Sequence, residues 1–167
     1  MATLFKEKQK FTQILIWIFL IGITSFWLYT KFITFYLKEP FGNMQPTDNA
    51  FHFVDVIIGL LLLLFLTANL KTKFKDDGIY YKFFPLQWSY KCIKWSEVKS
   101  MEVRQYKPLK EYLGWGIRIS TSGTAYNVKG NKGLQLILKN GKRILFGTQH
   151  PNKMREVIKN ISDKLED

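Results

Sequence analysis

Cysteine and the motifs of catalysis are scarce in this 167-residue chain. Cys92 is the single cysteine, which excludes an internal disulfide framework and is compatible with a reducing compartment. The sequence contains no GxSxG, P-loop, HExxH or CxxC pattern. An enzyme is therefore not predicted, and neither is a bound cofactor.

Acidic residues are also few, with 13 Asp and Glu against 25 Lys and Arg, which gives a formal net charge of +12. The imbalance is uneven, because residues 71–167 hold 20 of the basic and 9 of the acidic residues. A surface of this charge attracts acidic lipid head groups, nucleic acid or an acidic protein, and composition does not distinguish these partners.

Two long apolar runs dominate the first part of the chain. Residues 11–30 form 20 residues without a charge, enough for a helix to cross a hydrocarbon core of about 30 Å. A second run covers residues 50–70. The sequence predicts a transmembrane hairpin within residues 1–70, with helices at about 11–35 and 50–70.

A cleaved signal peptide is the alternative reading of the first run. Bulky side chains stand where small residues would be needed for cleavage, which disfavours that alternative. These are Trp27, Leu28 and Tyr29.

Lysines flank the two runs on one side. The loop from Lys38 to Asn49 carries one lysine and two acidic residues, so the positive-inside rule places both termini in the cytoplasm. The flanking residues are Lys6, Lys8 and Lys10 before the first helix and Lys71, Lys73 and Lys75 after the second.

His52 and Asp55 are ionisable residues in the second run, spaced to share one helix face. Intramembrane acids often serve ion or proton pathways, which makes a small subunit of a transport complex an alternative function. The structural alternative is that Asp55 pairs with Lys31 at the end of the first helix. A metal site is not predicted, because too few ligands surround the pair.

Beyond Leu70 the pattern changes to short strands separated by turn residues. Asp76-Asp77-Gly78 is predicted to join the first two strands, and about seven strands are predicted in total. Their expected positions are near 71–75, 79–84, 89–94, 98–106, 115–120, 124–128 and around 134–147.

Asn140-Gly141 is a strong hairpin signal and predicts a two-residue type I′ turn. In that register Lys139 faces Lys142, and Leu138 faces Arg143. A final helix is predicted from about Pro151 to residue 165, with an apolar stripe at helical spacing. The stripe contains Met154, Val157, Ile158, Ile161 and Leu165.

The segments KWSEVKSMEV (94–103), GWGIRI (114–119) and the run 126–151 resemble the pleckstrin-homology-like (PH-like) domains of bacterial membrane proteins. The resemblance covers roughly residues 71–165 and implies an antiparallel sheet or partly open barrel, capped by the C-terminal helix. It implies a cytoplasmic binding or scaffolding module over residues 71–167 in a protein of the bacterial inner membrane, and it names no ligand. Phosphoinositide binding is not carried over, because the loop Asp76-Asp77-Gly78 would repel a phosphorylated head group.

We therefore expect an α+β membrane protein that acts as a non-enzymatic accessory or regulatory subunit. Its expected partner is a membrane protein or a second copy of the chain, with anionic lipid as a further contact. Nucleic-acid binding is another alternative, given the basic and aromatic residues of the tail. The candidate contact residues are Lys139, Lys142 and Arg143 at the hairpin tip, Trp88 and Trp95 toward the bilayer, and Trp115.

Overall fold

A computed structural model describes residues 3–38 and 49–166 and divides the chain into two units. The chain up to Phe11 and from Ala68 onward forms the sheet unit, and Thr12–Thr67 forms the helical unit. The α+β class expected from the sequence is confirmed. The boundary differs from the predicted one at residue 70, because the segment before the first helix belongs to the sheet unit.

The helical unit contains α1 (Ile14–Phe32), extended by a π-helical turn (Ile33–Leu37), and α2 (Asn49–Thr67). Within the described residues, one helix, Ile14–Leu37, has the length and apolar composition of a membrane span or a signal sequence. The apolar helix Phe51–Thr67 is shorter. It ends before the predicted residue 70 because the chain enters a strand at Asn69.

The two helices pack antiparallel inside this unit. The rings of Trp27 and Phe51 lie 5.3 Å apart, while Leu20 and Leu61 line one groove further along the pair. Residues 39–48, most of the loop expected on the outer side of the membrane, lie outside the described residues.

The first sheet of the sheet unit has four antiparallel strands, which pair in sequence order. They are β1 (Thr3–Lys10), β2 (Asn69–Lys75), β3 (Gly78–Phe84) and β4 (Lys91–Lys94). Alternating burial runs through β1, β2 and β3, so that one side packs inward and the other faces outward. β1 was missed by the sequence analysis, which assigned its residues to the flank of a transmembrane helix.

The second sheet has five strands. They are β5 (Val98–Gln105), β6 (Gly116–Ser120), β7 (Gly123–Asn127), β8 (Lys132–Leu138) and β9 (Arg143–Gly147). Their order in the sheet is β5-β8-β9-β7-β6. The sheet is mixed, because β9 inserts between β8 and β7 and runs parallel to β7. The prediction of a wholly antiparallel sheet is therefore wrong at this pair.

The β8–β9 turn lies where the sequence places it, but its type and register differ from the prediction. Gly141 alone has positive φ in this turn, at 81°, and its N–H donates to the Leu138 carbonyl. Leu138 N–H donates to the Lys142 carbonyl, which closes a three-residue loop with a bulge at the glycine. The extra loop residue shifts the register by one, so Ile137 rather than Leu138 lies opposite Arg143.

Two helices complete the sheet unit. α3 (Pro108–Tyr112) is a single turn after β5, and α4 (Pro151–Glu166) begins at the predicted proline. α4 contacts β1, β5 and β8. Three residues of the predicted stripe, Met154, Ile158 and Ile161, are buried, and Val157 is half-buried. The side chain of Leu165 lies outside the described part of the helix.

Polar side chains of β1 tie this strand to the end of β9. Glu7 is 5 % exposed, and its carboxylate accepts hydrogen bonds from Thr148 Oγ1 at 2.7 Å and from the Gln149 N–H at 2.8 Å. Gln9 Nε2 donates to the Gly147 carbonyl at 2.6 Å. The N-terminal strand is thus part of the packed interior of the sheet unit.

Candidate functional site

The outward side of the first sheet is covered by lysine. Strand pairing brings together side chains from β1, β2, β3 and β4 that are far apart in sequence. Among the described strand residues on this side, eight are lysines and none is acidic. This surface is called the lysine face, and it consists of Lys6, Lys8, Lys10, Lys71, Lys73, Lys75, Lys82 and Lys94.

Several of these lysines lie directly opposite one another. Lys71 on β2 is paired with Lys8 on β1 and with Lys82 on β3, which makes a row of three across neighbouring strands. Lys6 and Lys73 form a further pair one step along the sheet. Like charges in directly opposed positions destabilise a sheet. The lysine face therefore carries an electrostatic cost that a bound anion would relieve.

Aromatic rings support some of the ammonium groups. Lys73 Nζ lies 4.6 Å from the centre of the Tyr90 ring, and Lys75 Nζ lies 4.6 Å from that of Tyr80. The Tyr80 hydroxyl donates to Asp77 at 2.5 Å. This hydrogen bond holds the pKa of the Asp77 carboxyl below its usual range. Asp77, one of the two acids at the β2–β3 turn, is thus engaged by its own hairpin.

One end of the lysine face carries exposed apolar side chains. Phe84 lies opposite Asn69, at the end of the sheet where the chain leaves for and returns from the helical unit. The loop after Phe84 exposes Leu86 by 66 % and Trp88 by 76 %, and the Trp88 ring stands edge-on to Phe84 at 5.3 Å. Trp88 is therefore at the surface, as expected from the sequence.

The predicted hairpin tip lies on the second sheet. Lys139, Lys142 and Arg143 are exposed around the β8–β9 turn. Lys142 and Arg143 border an open groove of about 420 Å³, which also contains Ile119 on β6. Ile119 is 83 % exposed, so the groove combines basic and apolar surface.

The other two tryptophans proposed as contact residues are held by the fold. Trp95 is only 4 % exposed and donates from Nε1 to the Lys75 carbonyl at 2.8 Å, so its expected place at a bilayer surface is wrong. It packs edge-on against Phe74 instead. Trp115 is half-buried and donates from Nε1 to the Gly130 carbonyl at 3.0 Å.

Asp55 in the helical unit is engaged in an ion pair. Lys31 Nζ lies 2.8 Å from Asp55 Oδ2, and Trp27 Nε1 donates to Asp55 Oδ1 at 2.8 Å. The pairing expected as the structural alternative is thus present. His52 is exposed on the same helix. Within residues 3–38 and 49–166, no three His, Cys, Asp or Glu side chains come together as a metal site would require.

A polar cluster beneath α3 is satisfied internally. Arg104 Nη2 lies 2.6 Å from Glu111 Oε2 and donates to Gln135 Oε1 at 3.0 Å. The guanidinium holds the pKa of the Glu111 carboxyl below its usual range. Burial raises the pKa of nearby Tyr106 to about 12. These contacts attach α3 to the sheet, which gives the cluster a structural role.

Alternating lysines in the sequence indicate the lysine face, but the analysis of each segment by itself did not recognise it. Lys6, Lys8 and Lys10 alternate with Phe5, Glu7 and Gln9, and Lys71, Lys73 and Lys75 show the same period of two. This is the spacing of one face of a strand. In the sequence β1 precedes the apolar helices and β2 follows them. Their lysines therefore form one surface only when the two strands pair.

The sheet unit and the apolar helical unit together define an α+β protein with a lysine-rich face on its first sheet. The chain belongs to the family of unknown function DUF6141, which matches residues 1–163. Comparisons with curated proteins and with solved structures gave no match.

Proposed function

We propose that this protein is a membrane-tethered, non-enzymatic binding module that acts as an accessory or regulatory subunit of a membrane-protein partner. The helical unit is its anchor in a bacterial inner membrane. The sheet unit is a PH-like module on the cytoplasmic side, together with both termini.

The observation that carries this proposal is the place of the helices in the topology. They are inserted between two strands that pair with each other, since Lys10 at the end of β1 lies opposite Asn69 at the start of β2. Both ends of the helical unit therefore connect to one position of the sheet. A hairpin that crosses a bilayer twice returns to the side from which it started, in keeping with this connection.

The surfaces of the sheet unit favour binding over chemistry. The groove beside Lys142 and Arg143 offers exposed apolar area at Ile119 with positive charge at its rim. An acidic segment of a membrane protein has the complementary character. Tethering to the same bilayer would raise the effective concentration of that partner, so modest affinity is enough.

Membrane anchorage and orientation are tested through Cys92, the single cysteine of the chain, which is exposed. The full-length protein should stay with the membrane fraction after alkaline carbonate washing. A membrane-impermeant maleimide should label Cys92 in inside-out vesicles and fail to label it in intact spheroplasts. Labelling of intact spheroplasts would contradict the cytoplasmic location, and release by carbonate would contradict the anchor.

The partner is tested by purification of the tagged full-length protein from native membranes in mild detergent. A stoichiometric partner should be lost when Lys139, Lys142 and Arg143 are all replaced by glutamate. The matched control replaces three exposed basic residues of α4 by glutamate, which changes the net charge equally and should keep the partner. The control positions are Lys153, Arg155 and Lys159. A partner retained by the tip variant would exclude this surface as the contact.

A further inference from the structure

The lysine face lies close along the chain to the ends of the helical unit. Lys8 precedes Thr12 by four residues, and Lys71 follows Thr67 by four residues. A strand advances about 3.3 Å per residue, so each lysine is within about 13 Å of chain from a helical-unit end. Pairing adds Lys82 beside Lys71. The densest row of positive charge is therefore near the points where the chain would enter a bilayer.

The chemistry of the face suits a diffuse anionic surface. Among the described residues its cations are lysines, while the arginines lie elsewhere in the sheet unit. Lysine provides a flexible point charge, whereas recognition of one phosphate or carboxylate commonly uses the planar fork of arginine. An array of lysines with strands about 5 Å apart matches many separate negative charges spread over a plane.

Two features favour lipid over nucleic acid as the source of those charges. Tyr80 and Tyr90 already lie under the ammonium groups of Lys75 and Lys73, so these rings are engaged within the protein instead of stacking on bases. Exposed Leu86 and Trp88 stand at the end of the face next to the helical connections. Tryptophan beside aliphatic and basic residues is the composition of membrane interfaces.

We propose that the lysine face binds the anionic head groups of the bilayer in which the apolar helices are anchored. The row of Lys8, Lys71 and Lys82 contacts the head groups, and Leu86 and Trp88 enter the interfacial layer. The inference rests on the proposed function, because the helices must be anchored for the face to meet this bilayer. It adds a lipid contact to the protein contact at the β8–β9 tip.

Cys92 provides a reporter within the face, because it is exposed and lies opposite Tyr80 on the outward side of β4. The full-length protein, labelled at Cys92 with a fluorophore, is incorporated into nanodiscs that carry a head-group spin label. One set contains phosphatidylcholine alone, and the other also contains phosphatidylglycerol. We expect strong quenching in the anionic nanodiscs, weak quenching in the neutral ones, and loss of the difference at high salt.

The decisive variant replaces Lys8, Lys71 and Lys82 together by glutamate. Each basic residue near an anionic surface is worth about a fivefold change in binding, so the docked fraction relative to the undocked one should fall by about a hundredfold or more. The matched control replaces Lys153, Arg155 and Lys159 of α4 by glutamate. It makes the same change in net charge at exposed positions outside both sheets and should keep the quenching of the wild type.

The outcomes separate the two proposals. Quenching that is equal in neutral and anionic nanodiscs, or that persists in the lysine-face variant, overturns the proposed lipid contact. The proposal that the helical unit is a membrane anchor is unaffected by that result. A chain that fails to incorporate into nanodiscs overturns the anchor and the lipid contact together. If a short DNA duplex displaces the labelled face from anionic nanodiscs at physiological salt, the lysine face binds nucleic acid in preference to lipid, and the proposed lipid contact is wrong.

Discussion

The two sheets of the sheet unit use their surfaces differently. The five-stranded sheet is covered near its centre on both sides: Leu134 and Phe146 are buried on one face, and Leu145 and Ala125 pack with Tyr106 and Tyr112 on the other. The four-stranded sheet buries one face and exposes the lysine face on the other. A sheet with both faces packed stabilises the fold, while a sheet with one free face is available for binding.

Core truncation in the five-stranded sheet should give the largest change in stability. Phe146 is fully buried and packs against Tyr126 and Tyr81, so Phe146→Ala should lower the free energy of unfolding by about 3–5 kcal/mol. Lys82→Ala on the lysine face should change it by less than about 0.5 kcal/mol. Denaturant unfolding of the full-length protein measures both. An equal decrease in the free energy of unfolding for the two variants would mean that the lysine face also contributes to the core.

The link between β1 and β9 should give the next largest effect. Glu7→Ala leaves the buried hydroxyl of Thr148 and the N–H of Gln149 without their acceptor, which should cost about 1–3 kcal/mol of stability. Glu7→Gln keeps one acceptor oxygen and should cost less. If the alanine variant is as stable as the wild type, β1 is not attached through this carboxylate.

The Arg104–Glu111 pair predicts a smaller, pH-dependent effect in the five-stranded sheet. The pKa of Glu111 is lowered in the folded state by hydrogen bonds from Arg104, so the folded state favours the carboxylate. Its contribution is complete above the ordinary glutamate pKa and is lost as the pH falls through the lower, folded value. Glu111→Gln should therefore lose less stability on acidification than the wild type, by up to about 1 kcal/mol. Glu102→Gln, at an exposed position of β5, is the control and should follow the wild type.

The smallest effect should have the opposite sign. Lys71→Glu places a carboxylate between Lys8 and Lys82 in place of a third positive charge. The fold should gain about 0.2–1 kcal/mol in stability, while quenching of labelled Cys92 by anionic nanodiscs should decrease. A variant that loses both stability and quenching would show that Lys71 serves the fold, and it would remove the contrast between the two sheets.

Features set by local chemistry were predictable from the sequence. The start of α4 at Pro151 and its buried stripe follow from helix-start chemistry and periodicity. The location of the turn at Asn140-Gly141 was predicted as well. Its register was not, because both two- and three-residue loops place glycine at positive φ, and the choice between them depends on pairing across the whole hairpin.

Features that depend on pairing between distant strands could not be predicted from local sequence patterns. The partner of Lys8 is Lys71, and the apolar helices separate the two in sequence, so Lys6, Lys8 and Lys10 were assigned only to a membrane flank. Tryptophan is common at membrane interfaces, but Trp95 is buried because it donates to the Lys75 carbonyl and packs against the Phe74 ring, both on β2. The lysine face, which is the main part of the candidate site, consequently emerged only from the structure.

The insertion of the helices between β1 and β2 also imposes an order of assembly. β1 is synthesised before both helices, and its partner β2 is synthesised after them. The first sheet can therefore close only when the ends of the helical hairpin have come together, and only then does Glu7 reach Thr148. Completion of the first sheet thereby requires that the helical unit has brought its two ends together, which couples folding of the helices to the appearance of the lysine face.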